Sequence, residues 1–499
     1  MEKINAMKET YRLKISIAFC IYLIAYFYYF SWWLEGERLS SILLLILLAG
    51  SSLFCIVRGF LGYYIYLQCK FPKSSDVPEG LSIDVLVPAY NEPESLVRRT
   101  LTAAKRMHCL HRTILLDDSG RTELEELARE LDVVYFRRET NWQNKAGNIN
   151  YALQHTTSEI IVIFDVDHMP CVDFLIRSLG PFKDPNIGFV QVRLDHSNSS
   201  ESFVAGAAAE RNDGFFGAPL HGMHGCGCPQ KFGSNCLIRR KALESIGGYK
   251  PGLAEDLHTS LRLHVAGWRS YYVSETLAFG LEPTELSGFF IQQYKWCYGV
   301  TELLIHIYPK YISKLNFNTN ICYMWRLTCF IAGPAVALCI ISTAIVLCIG
   351  SQFTIDSYAS YLVHLAPMVI IMSMINNIAS KQYNLKLLNN KSRIPMGGML
   401  LAFASWPVYT HSCISATLGL KANFMPTPKG RESTKLKQVF PQMLAVSVLM
   451  LGIVYSLSWS NNITTFAICI FALMLITMHS AVFFALLEER AQYRLNSIQ

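Results

Sequence analysis

Two kinds of hydrophobic pattern divide the chain. Long, nearly uninterrupted apolar runs lie before residue 70 and after residue 320, whereas the region between them alternates short apolar runs with charged stretches. A helix needs about 20 apolar residues to cross a bilayer. Six stretches meet this requirement, namely 13–33, 40–67, 328–350, 358–379, 439–459 and 463–487. The pattern therefore predicts membrane spans on both sides of one water-exposed domain.

A seventh apolar stretch, residues 396–420, is predicted to lie along the membrane surface. Lysines and arginines flank it on both sides, and basic flanks stay on the cytoplasmic side. Six spans then leave both termini and the central domain in the cytoplasm. The first span follows a Lys-containing leader without a small-residue cleavage site, so we expect it to be retained and not removed as a signal peptide.

The central region, about 72–285, predicts an α/β domain. Four apolar runs have the length of buried strands, and helical stretches separate them: "IDVLVPAY" (83–90), "TILLDD" (113–118), "VVYF" (133–136) and "IIVIFDVD" (160–167). Such alternation predicts a parallel sheet. Ligands of these sheets bind at the carboxyl ends of the strands. Polar clusters follow three of the strands, at 90–92, 117–118 and 165–167.

One of these clusters places two acids, Asp165 and Asp167, on either side of a single valine. A hard divalent cation, Mg²⁺ or Mn²⁺, takes carboxylate ligands and often bridges them to substrate phosphates. Such a cation would offset the charge of a diphosphate leaving group. The alternative is a solvated strand end, because a D-x-D pair alone is a short match.

Composition and charge change this picture little. The net charge of +7 follows from basic residues on the inner membrane face and needs no nucleic-acid partner, and it suits an anionic substrate. The fifteen cysteines are scattered, and we expect no disulfide framework in a cytoplasmic domain.

A cluster of His and Cys residues lies within "HGMHGCGCPQ", where His221, His224, Cys226 and Cys228 fall within eight residues. Nitrogen and sulfur ligands suit zinc, but the spacing matches no usual zinc motif. We expect a glycine-rich loop beside the acceptor, with a metal site as the open alternative.

Seven segments in a fixed order carry a family resemblance. They are "VPAYNEP" (87–93), "LDDSG" (116–120), "NKAGNINYAL" (144–153), "DVDHMP" (165–170), "AEDLHTSLRLHVAGWRS" (254–270), "QQYKW" (292–296) and "FMPTPKG" (424–430). The series resembles the cellulose synthase family of membrane-embedded, processive family 2 glycosyltransferases, over roughly residues 80 to 435. The resemblance implies a UDP-sugar-dependent GT-A domain inserted into an α-helical transmembrane domain.

The resemblance also implies a division of the chain into six parts. We expect N-terminal transmembrane helices (1–70), a cytoplasmic GT-A domain (71–285), interfacial helices carrying the Gln-x-x-Lys-Trp sequence (286–320), a transmembrane pair (321–395), an interfacial helix with a gating loop (396–437) and a C-terminal transmembrane pair (438–499).

Roles on the donor side follow from the matching positions. Tyr90, Glu92 and Asp118 are expected to line the uridine pocket. Lys145 is expected to reach the nucleotide from a turn entering a helix, where backbone N–H groups also bind anions; a surface lysine is the alternative. The two acids of the D-x-D pair would hold the sugar diphosphate, in part through the metal ion.

Asp256 matches the catalytic base of the family, whose usual sequence is Thr-Glu-Asp; Ala254 stands here in place of the threonine. The acceptor hydroxyl must lose its proton as it attacks the anomeric carbon, and a single displacement inverts that carbon. The alternative is a carboxylate favoured at a helix N-terminus.

The acceptor side is expected around "QQYKW" and "KFGSN". Gln292 and Lys295 would face the diphosphate, although lysine lacks the planar fork of the family's arginine. Trp296 would give the acceptor sugar an apolar platform and an N–H donor, or else anchor an interfacial helix. Gly233 and Ser234 match a turn that contacts the acceptor's terminal sugar.

The segment "FMPTPKG" resembles the family's gating loop, with Phe424, Thr427 and Lys429 at the matching positions. Pro426 replaces the usual aliphatic residue. A loop that covers the nucleotide would exclude water, which competes with the acceptor. The alternative is an ordinary basic loop.

The function expected from these features is a processive, inverting glycosyltransferase of the inner membrane that polymerises UDP-glucose into a β-linked polysaccharide and translocates it. The alternatives are a chitin- or hyaluronan-type synthase using UDP-GlcNAc, a non-processive transferase acting on a lipid, and a transporter or scaffold. Aromatic side chains that could line a channel are Tyr323, Trp325, Trp406 and Tyr409.

The expected partners are the UDP-sugar, the growing polysaccharide and the bilayer, with room for an unidentified membrane or periplasmic accessory subunit. Only "ERAQYRLNSIQ" follows the last predicted span, so we expect no C-terminal cyclic-di-GMP-binding domain of the kind found in bacterial cellulose synthases.

Overall fold

The structure is a computed structural model that describes residues 2–34, 50–73, 75–349, 355–383, 396–422, 433–459 and 463–496. The strands are β1 Ile83–Ala89, β2 Arg112–Asp117, β3 Val134–Arg137, β4 Ile160–Ile163, β5 Met169–Pro170, β6 Ile187–His196, β7 Cys236–Arg239 and β8 Arg269–Gly280. The α-helices of the described residues are α1 Glu2–Leu34, α2 Gly50–Leu67, α3 Glu94–Lys105, α4 Thr122–Glu130, α5 Asn144–Gln154, α6 Phe174–Ser178, α7 Phe203–Phe216, α8 Ala218–Gly225, α9 Arg240–Ser245, α10 Glu255–Val265, α11 Leu286–Glu302, α12 Phe317–Leu327, α13 Ala332–Ile349, α14 Ile355–Tyr383, α15 Met396–Ala404, α16 Trp406–Thr417, α17 Leu436–Trp459, α18 Ile463–Met478 and α19 Ser480–Asn496.

The central domain contains a sheet with the strand order β3-β2-β1-β4-β7-β6-β8-β5. The four strands expected from the sequence are present, and β3, β2, β1 and β4 run parallel, as predicted. The predicted parallel arrangement holds for these four strands, but the sheet as a whole is mixed. Strand β7 is antiparallel to both β4 and β6, and β5 is antiparallel to β8. The sequence reasoning did not predict β5 to β8.

The sheet separates two apolar layers. Val85 and Val87 in β1 face the layer that contains Leu101 of α3, whereas Leu86 faces the layer that contains Ile149 of α5. All five side chains are fully buried. Successive side chains of a strand point to opposite faces, so the alternating faces of β1 hold α3 and α5 on opposite sides. This arrangement fixes where the strand ends, and the loops that follow them, lie.

Apolar helices long enough to cross a membrane surround the central domain. Among the described residues they are Glu9–Trp32, Phe317–Cys348, Leu362–Tyr383, Leu436–Trp459 and Thr465–Leu495. Five of the six predicted spans therefore coincide with such helices, which agrees with a multi-pass membrane protein. The described part of the sixth, 40–67, is the shorter apolar helix Ser52–Leu67, and residues 35–49 lie outside the described residues.

The seventh apolar stretch forms two short helices, α15 and α16, that meet at Ser405. Its expected place at the membrane surface stays a prediction, as do the boundaries of the six parts of the chain. The sheet itself lies between Ile83 and Gly280.

The central domain contacts the apolar helices at several places, one of which is the packing of α8 against the end of α2. A Cβ atom on Gly222 would lie 2.3 Å from the carbonyl oxygen of Ile65, and one on Gly225 would lie 1.6 Å from that of Gln68. Such distances are far below van der Waals contact with carbon. The two backbones therefore approach this closely only because both positions lack a side chain.

We predict that Gly222→Ala and Gly225→Ala each destabilise the protein by about 1–3 kcal/mol, because the added methyl groups overpack the contact between α8 and α2. Thermal unfolding of the purified protein in detergent measures this as a lower midpoint. Gly214→Ala is the matched control: Gly214 also lies in a helix, and a Cβ there meets nothing within 4 Å. Equal midpoints for the three variants would contradict this account of the contact.

Candidate active site

A cavity of about 2080 Å³ lies at the carboxyl ends of β1, β2 and β4. Its lining contains most of the site residues predicted from the sequence, namely Tyr90, Glu92, Asp118, Lys145, Asp165, Asp167, Gly233, Asp256, Gln292, Lys295 and Trp296. Ser234 lies next to this lining. The predicted gating-loop positions Phe424, Thr427 and Lys429 lie outside the described residues.

The D-x-D pair follows directly after β4. The backbone N–H of Asp165 donates to Ser234 Oγ at 3.0 Å. The Lys145 ammonium group forms an ion pair with the Asp165 carboxylate and donates to the Gly233 carbonyl at 2.9 Å. Burial alone would raise the pKa of Asp165, but the charges of Lys145 and His168 and the hydrogen bond from Lys145 together lower that pKa below its ordinary value. Asp165 is therefore held as a carboxylate.

The residues of this pair fit a divalent cation. Among the described residues, Asp165, Asp167 and His168 form the one group of three or more His, Cys, Asp or Glu side chains whose ligand atoms lie within 4.8 Å of one another. His168 Nδ1 lies 3.2 Å from Asp167 Oδ1. Carboxylate oxygens are the ligands that Mg²⁺ and Mn²⁺ prefer. The site can thus hold a divalent metal ion.

Two further acids border the same space at the start of α10, where Glu255 and Asp256 occupy the first turn. Lys145 Nζ lies 3.9 Å from Glu255 Oε1. Gly233 has a φ of +72°, and a Cβ there would lie 3.6 Å from Lys145 Nζ and 3.8 Å from Asp256 Oδ2. The turn at Gly233 therefore lies between Lys145 and Asp256. Burial, reinforced by the charge of Asp256, raises the pKa of Glu255 to about 7.

Asp118 at the end of β2 is paired with Arg138, a residue that the sequence reasoning missed. Both side chains are buried, and the guanidinium also donates to the carbonyl oxygen of Asn144 at 2.8 Å, next to Lys145. Burial raises the pKa of Asp118 although Arg138 opposes that shift. Arg138 thus ties the end of β2 to the start of α5.

Tyr90 and Glu92, which follow β1, form a local turn on the same side of the cavity. The backbone N–H of Tyr90 donates to Glu92 Oε2 at 2.7 Å. The carbonyl oxygen of Glu92 accepts a hydrogen bond from Arg121 at 2.8 Å. Arg121, which follows β2, therefore also stabilises the turn after β1.

Helix α11 provides the wall opposite the strand ends. Gln292, Lys295 and Trp296 are spaced so that they share one face of a helix, and all three line the cavity. Trp296 is also partly buried against an apolar cluster that includes Val300 and Leu303. The segment is a helix, as expected, and its tryptophan both packs and faces the cavity. Its place at the membrane interface stays a prediction.

The His/Cys segment does not form the loop that the sequence suggested. Residues 218–225 are helix α8, and His221 packs edge-on against Tyr272 at 5.3 Å between ring centroids. His224 packs against Tyr271 at 4.5 Å. Burial lowers the pKa of both histidines to about 4. The small residues of this segment allow close packing against α2. From composition alone, the same residues suggested a loop.

Of the four aromatic residues expected along a channel, Trp325 lines the cavity. Tyr323 bonds to His264, and the Trp406 indole N–H donates to His479 at 3.1 Å. The cavity continues along α14, which contributes Ser373, Asn376 and Asn377.

A second residue that the sequence reasoning missed is Glu282, in the segment between β8 and α11. It lines the cavity and is only 4% exposed. Burial raises its pKa to about 7, against the effect of a hydrogen bond from Asn212. The sequence holds no signal for this residue, because its partners are distant in the chain.

The central domain is similar in sequence to known proteins. The family model for glycosyl transferase family 2 matches residues 84–247. The cellulose synthase catalytic subunit [UDP-forming] of Pseudomonas fluorescens (strain SBW25) is 28% identical over 428 residues, which is 81% of this chain and 57% of that protein. The corresponding subunit of Xanthomonas axonopodis pv. citri (strain 306) is 32% identical over 300 residues, 57% of this chain and 41% of that protein.

A further relative, cellulose synthase 1 of Komagataeibacter xylinus, is 30% identical over 322 residues, or 62% of this chain and 20% of that protein. The chain thus spans between 20% and 57% of the length of these three relatives. Among solved structures, a mannosyltransferase from Pyrobaculum calidifontis in complex with GDP-Man and Mn²⁺ matches with a TM-score of 0.48 and 18% identity, over 70% of this chain and 99% of that one.

The family match covers most of the sheet, and the sequence similarity extends beyond it into the surrounding helices. Together with the strand order and the apolar helices, it confirms the predicted GT-A α/β domain within a helical transmembrane domain. The chain therefore contains a glycosyl transferase family 2 domain over residues 84–247 and is similar in sequence to cellulose synthase catalytic subunits.

Proposed function

We propose that this chain is a processive, inverting glycosyltransferase that polymerises a UDP-sugar, with UDP-glucose as its donor, into a β-linked polysaccharide. The observation that carries the proposal is the shared cavity. The D-x-D pair, Lys145, Asp256 and the Gln-x-x-Lys-Trp residues all line it, and membrane helix α14 lines its other end. The UDP-forming cellulose synthase catalytic subunits to which the chain is similar support the choice of nucleotide.

On the donor side, Tyr90, Glu92 and Asp118 would surround the uridine, and Lys145 would place its ammonium charge beside the diphosphate. Asp165 and Asp167 would hold a Mg²⁺ or Mn²⁺ ion, which when bound supplies Lewis-acid stabilisation of the charge on the departing UDP. Lys145 now pairs with Asp165, and a diphosphate would offer the same ammonium group a second anionic partner.

In the chemical step, Asp256 would accept the proton of the acceptor hydroxyl as its oxygen forms a bond to the anomeric carbon. The bond from that carbon to the diphosphate oxygen breaks, and UDP leaves. Attack from the face opposite the leaving group converts an α-linked donor into a β-linked product. Glu255 is the alternative base, because its pKa is raised to about 7 and a base is most effective when its pKa lies near the working pH.

On the acceptor side, Trp296 would support the terminal sugar, with Gly233 and Ser234 beside it, while Gln292 and Lys295 would face the diphosphate. A polymer of hydroxyls does not cross lipid unaided. Trp325 and the amides of α14 extend the cavity away from the strand ends, which supports release of the product along the membrane helices. We place the catalytic domain and both termini in the cytoplasm, at the inner membrane.

The alternatives differ in donor and product. A UDP-GlcNAc-using synthase of the chitin or hyaluronan type would share the same donor-side chemistry, and a non-processive enzyme would stop after one transfer to a lipid. The extension of the cavity along α14 favours a polymer.

Chelation of divalent ions, Asp165→Ala and Asp167→Ala should each lower sugar transfer about 100-fold or more, since they remove stabilisation of the charge on the leaving UDP. Release of UDP from the purified protein measures the rate. Glu275→Gln is the control, because Glu275 pairs with Arg177 on the surface. Full activity in the alanine variants or in excess chelator would refute the metal-assisted mechanism.

Asp256→Asn should lower kcat by about 10²–10⁴-fold, the range of general-base catalysis, while UDP binding stays close to that of the wild type. Steady-state kinetics and calorimetric titration with UDP separate the two quantities. Glu255→Gln, a neutral variant of the neighbouring acid, should retain more activity than Asp256→Asn. The reverse ranking would assign the base to Glu255.

Purified protein incubated with radiolabelled UDP-glucose should give a product too long to be a single addition, sensitive to β-glucan-specific hydrolases. Gel electrophoresis of the product measures its length, and UDP-GlcNAc in a parallel reaction tests the other donor. Incorporation from UDP-GlcNAc alone would reassign the sugar, and a labelled lipid as the sole product would show a non-processive enzyme.

A further inference from the structure

Glu282 lines the cavity, and its backbone is held in a fixed position. Its backbone N–H donates to Asn198 Oδ1 at 2.9 Å, and its carbonyl oxygen accepts from Asn198 Nδ2 at 2.8 Å. The asparagine side chain thus clamps both polar groups of this peptide. Because the backbone is held in this way, the direction of the Glu282 side chain is set before any substrate binds.

The Glu282 carboxylate joins three elements of the site. His196 Nε2, at the end of β6, lies 3.0 Å from Glu282 Oε1. The side-chain amide of Asn212 on α7 donates to the same oxygen, and Gln292 on α11 forms a further hydrogen bond with the carboxylate. A buried carboxylate is costly unless its oxygens are hydrogen-bonded. These three partners therefore account for its place in the protein interior.

The hydrogen bonds continue beyond Gln292. The side-chain amide of Gln293 donates to Gln292 Oε1 at 3.3 Å. Gln293 Oε1 in turn accepts from Arg211 and, at 3.1 Å, from the Tyr409 hydroxyl. A series of hydrogen bonds thus connects α16 to Glu282 through two successive glutamines. Within it, the amide of Gln292 has a bonding partner on each side, so its orientation is determined by both.

The segment that carries Glu282 also packs against the D-x-D loop. A Cβ atom on Gly280 would lie 2.6 Å from His168 Nε2, so strand β8 ends in direct contact with that histidine. The charges of Asp167 and His168 both act on the Glu282 carboxyl group. Glu282 therefore lies between the loop that can hold the metal ion and the helix that carries Gln292.

We propose that Glu282 is a positioning residue, which orients Gln292 toward the donor diphosphate and fixes α11 relative to the D-x-D loop. The proposal rests on the proposed function, since it assigns Gln292 to the diphosphate. A carboxylate accepts hydrogen bonds at both oxygens, whereas a carboxamide in its place accepts at one and donates at the other. Glutamine at this position cannot satisfy the partners of the glutamate, so the amide of Gln292 loses its fixed orientation.

A double-mutant cycle tests this role. Glu282→Gln should lower kcat about tenfold, with the KM for the UDP-sugar changed by less than about twofold. Gln292→Ala should lower kcat at least as much. The double variant should be no slower than Gln292→Ala alone, because Glu282 acts through Gln292. Effects that multiply in the double variant would overturn the proposal, as would a Glu282→Gln enzyme with unchanged kcat.

The control is Glu275→Gln, an acid in β8 whose side chain is exposed; it should leave kcat unchanged. Asn212→Ala provides a second route if Glu282 variants do not fold, since it removes one partner and keeps the buried acid. Its loss of kcat should likewise disappear in a Gln292→Ala background, and a loss that persists there would overturn the proposal.

Wild-type turnover of UDP-sugars, measured in parallel, separates the two claims. An inactive wild type would refute the proposed function itself. An active wild type whose Glu282 and Gln292 variants behave independently would refute the positioning role alone.

Discussion

The site depends on how one lysine is shared among several acids. Lys145 pairs with Asp165 and lies 3.9 Å from Glu255, while Asp256 approaches the same turn at Gly233. Carboxylates this close together cannot all ionise freely. Lys145 helps to lower the pKa of Asp165, whereas burial and the charge of Asp256 raise that of Glu255 to about 7. Acids with neighbouring positions are thereby given different protonation states, as separate roles in one reaction require.

The sheet is what brings these charges together. Asp118 follows β2 and the D-x-D pair follows β4, while β1 lies between the two strands. Parallel strands end on the same edge, so residues almost fifty positions apart in the chain face one cavity. The antiparallel strand β7 adds the turn at Gly233 and Ser234 from the opposite direction. The mixed sheet thus places the acceptor-side turn directly beside the donor-side acids, which a wholly parallel sheet would not do.

The parts of the fold that the sequence predicted are those with local signals. Apolar runs predicted β1 to β4 and five long helices, and the D-x-D pair predicted the acidic cluster at the end of β4. Contacts between distant residues escaped prediction. Arg138 pairs with Asp118 across twenty positions, and Glu282 meets His196 across a far longer stretch. Helix α8 was taken for a loop because its glycines suggested flexibility, whereas Gly222 and Gly225 serve a close contact between backbones.

That contact bears on how catalysis and the membrane helices are coupled. Helix α8 lies against α2 without room for a methyl group, and α11 is joined to α16 through Arg211, Gln293 and Tyr409. Among the described residues, these are two of the places at which the central domain is joined to its helices. Both contacts would have to break if the domain swung away from the helices between transfers. Under the proposed function, a growing chain would then advance past walls that these contacts hold in place.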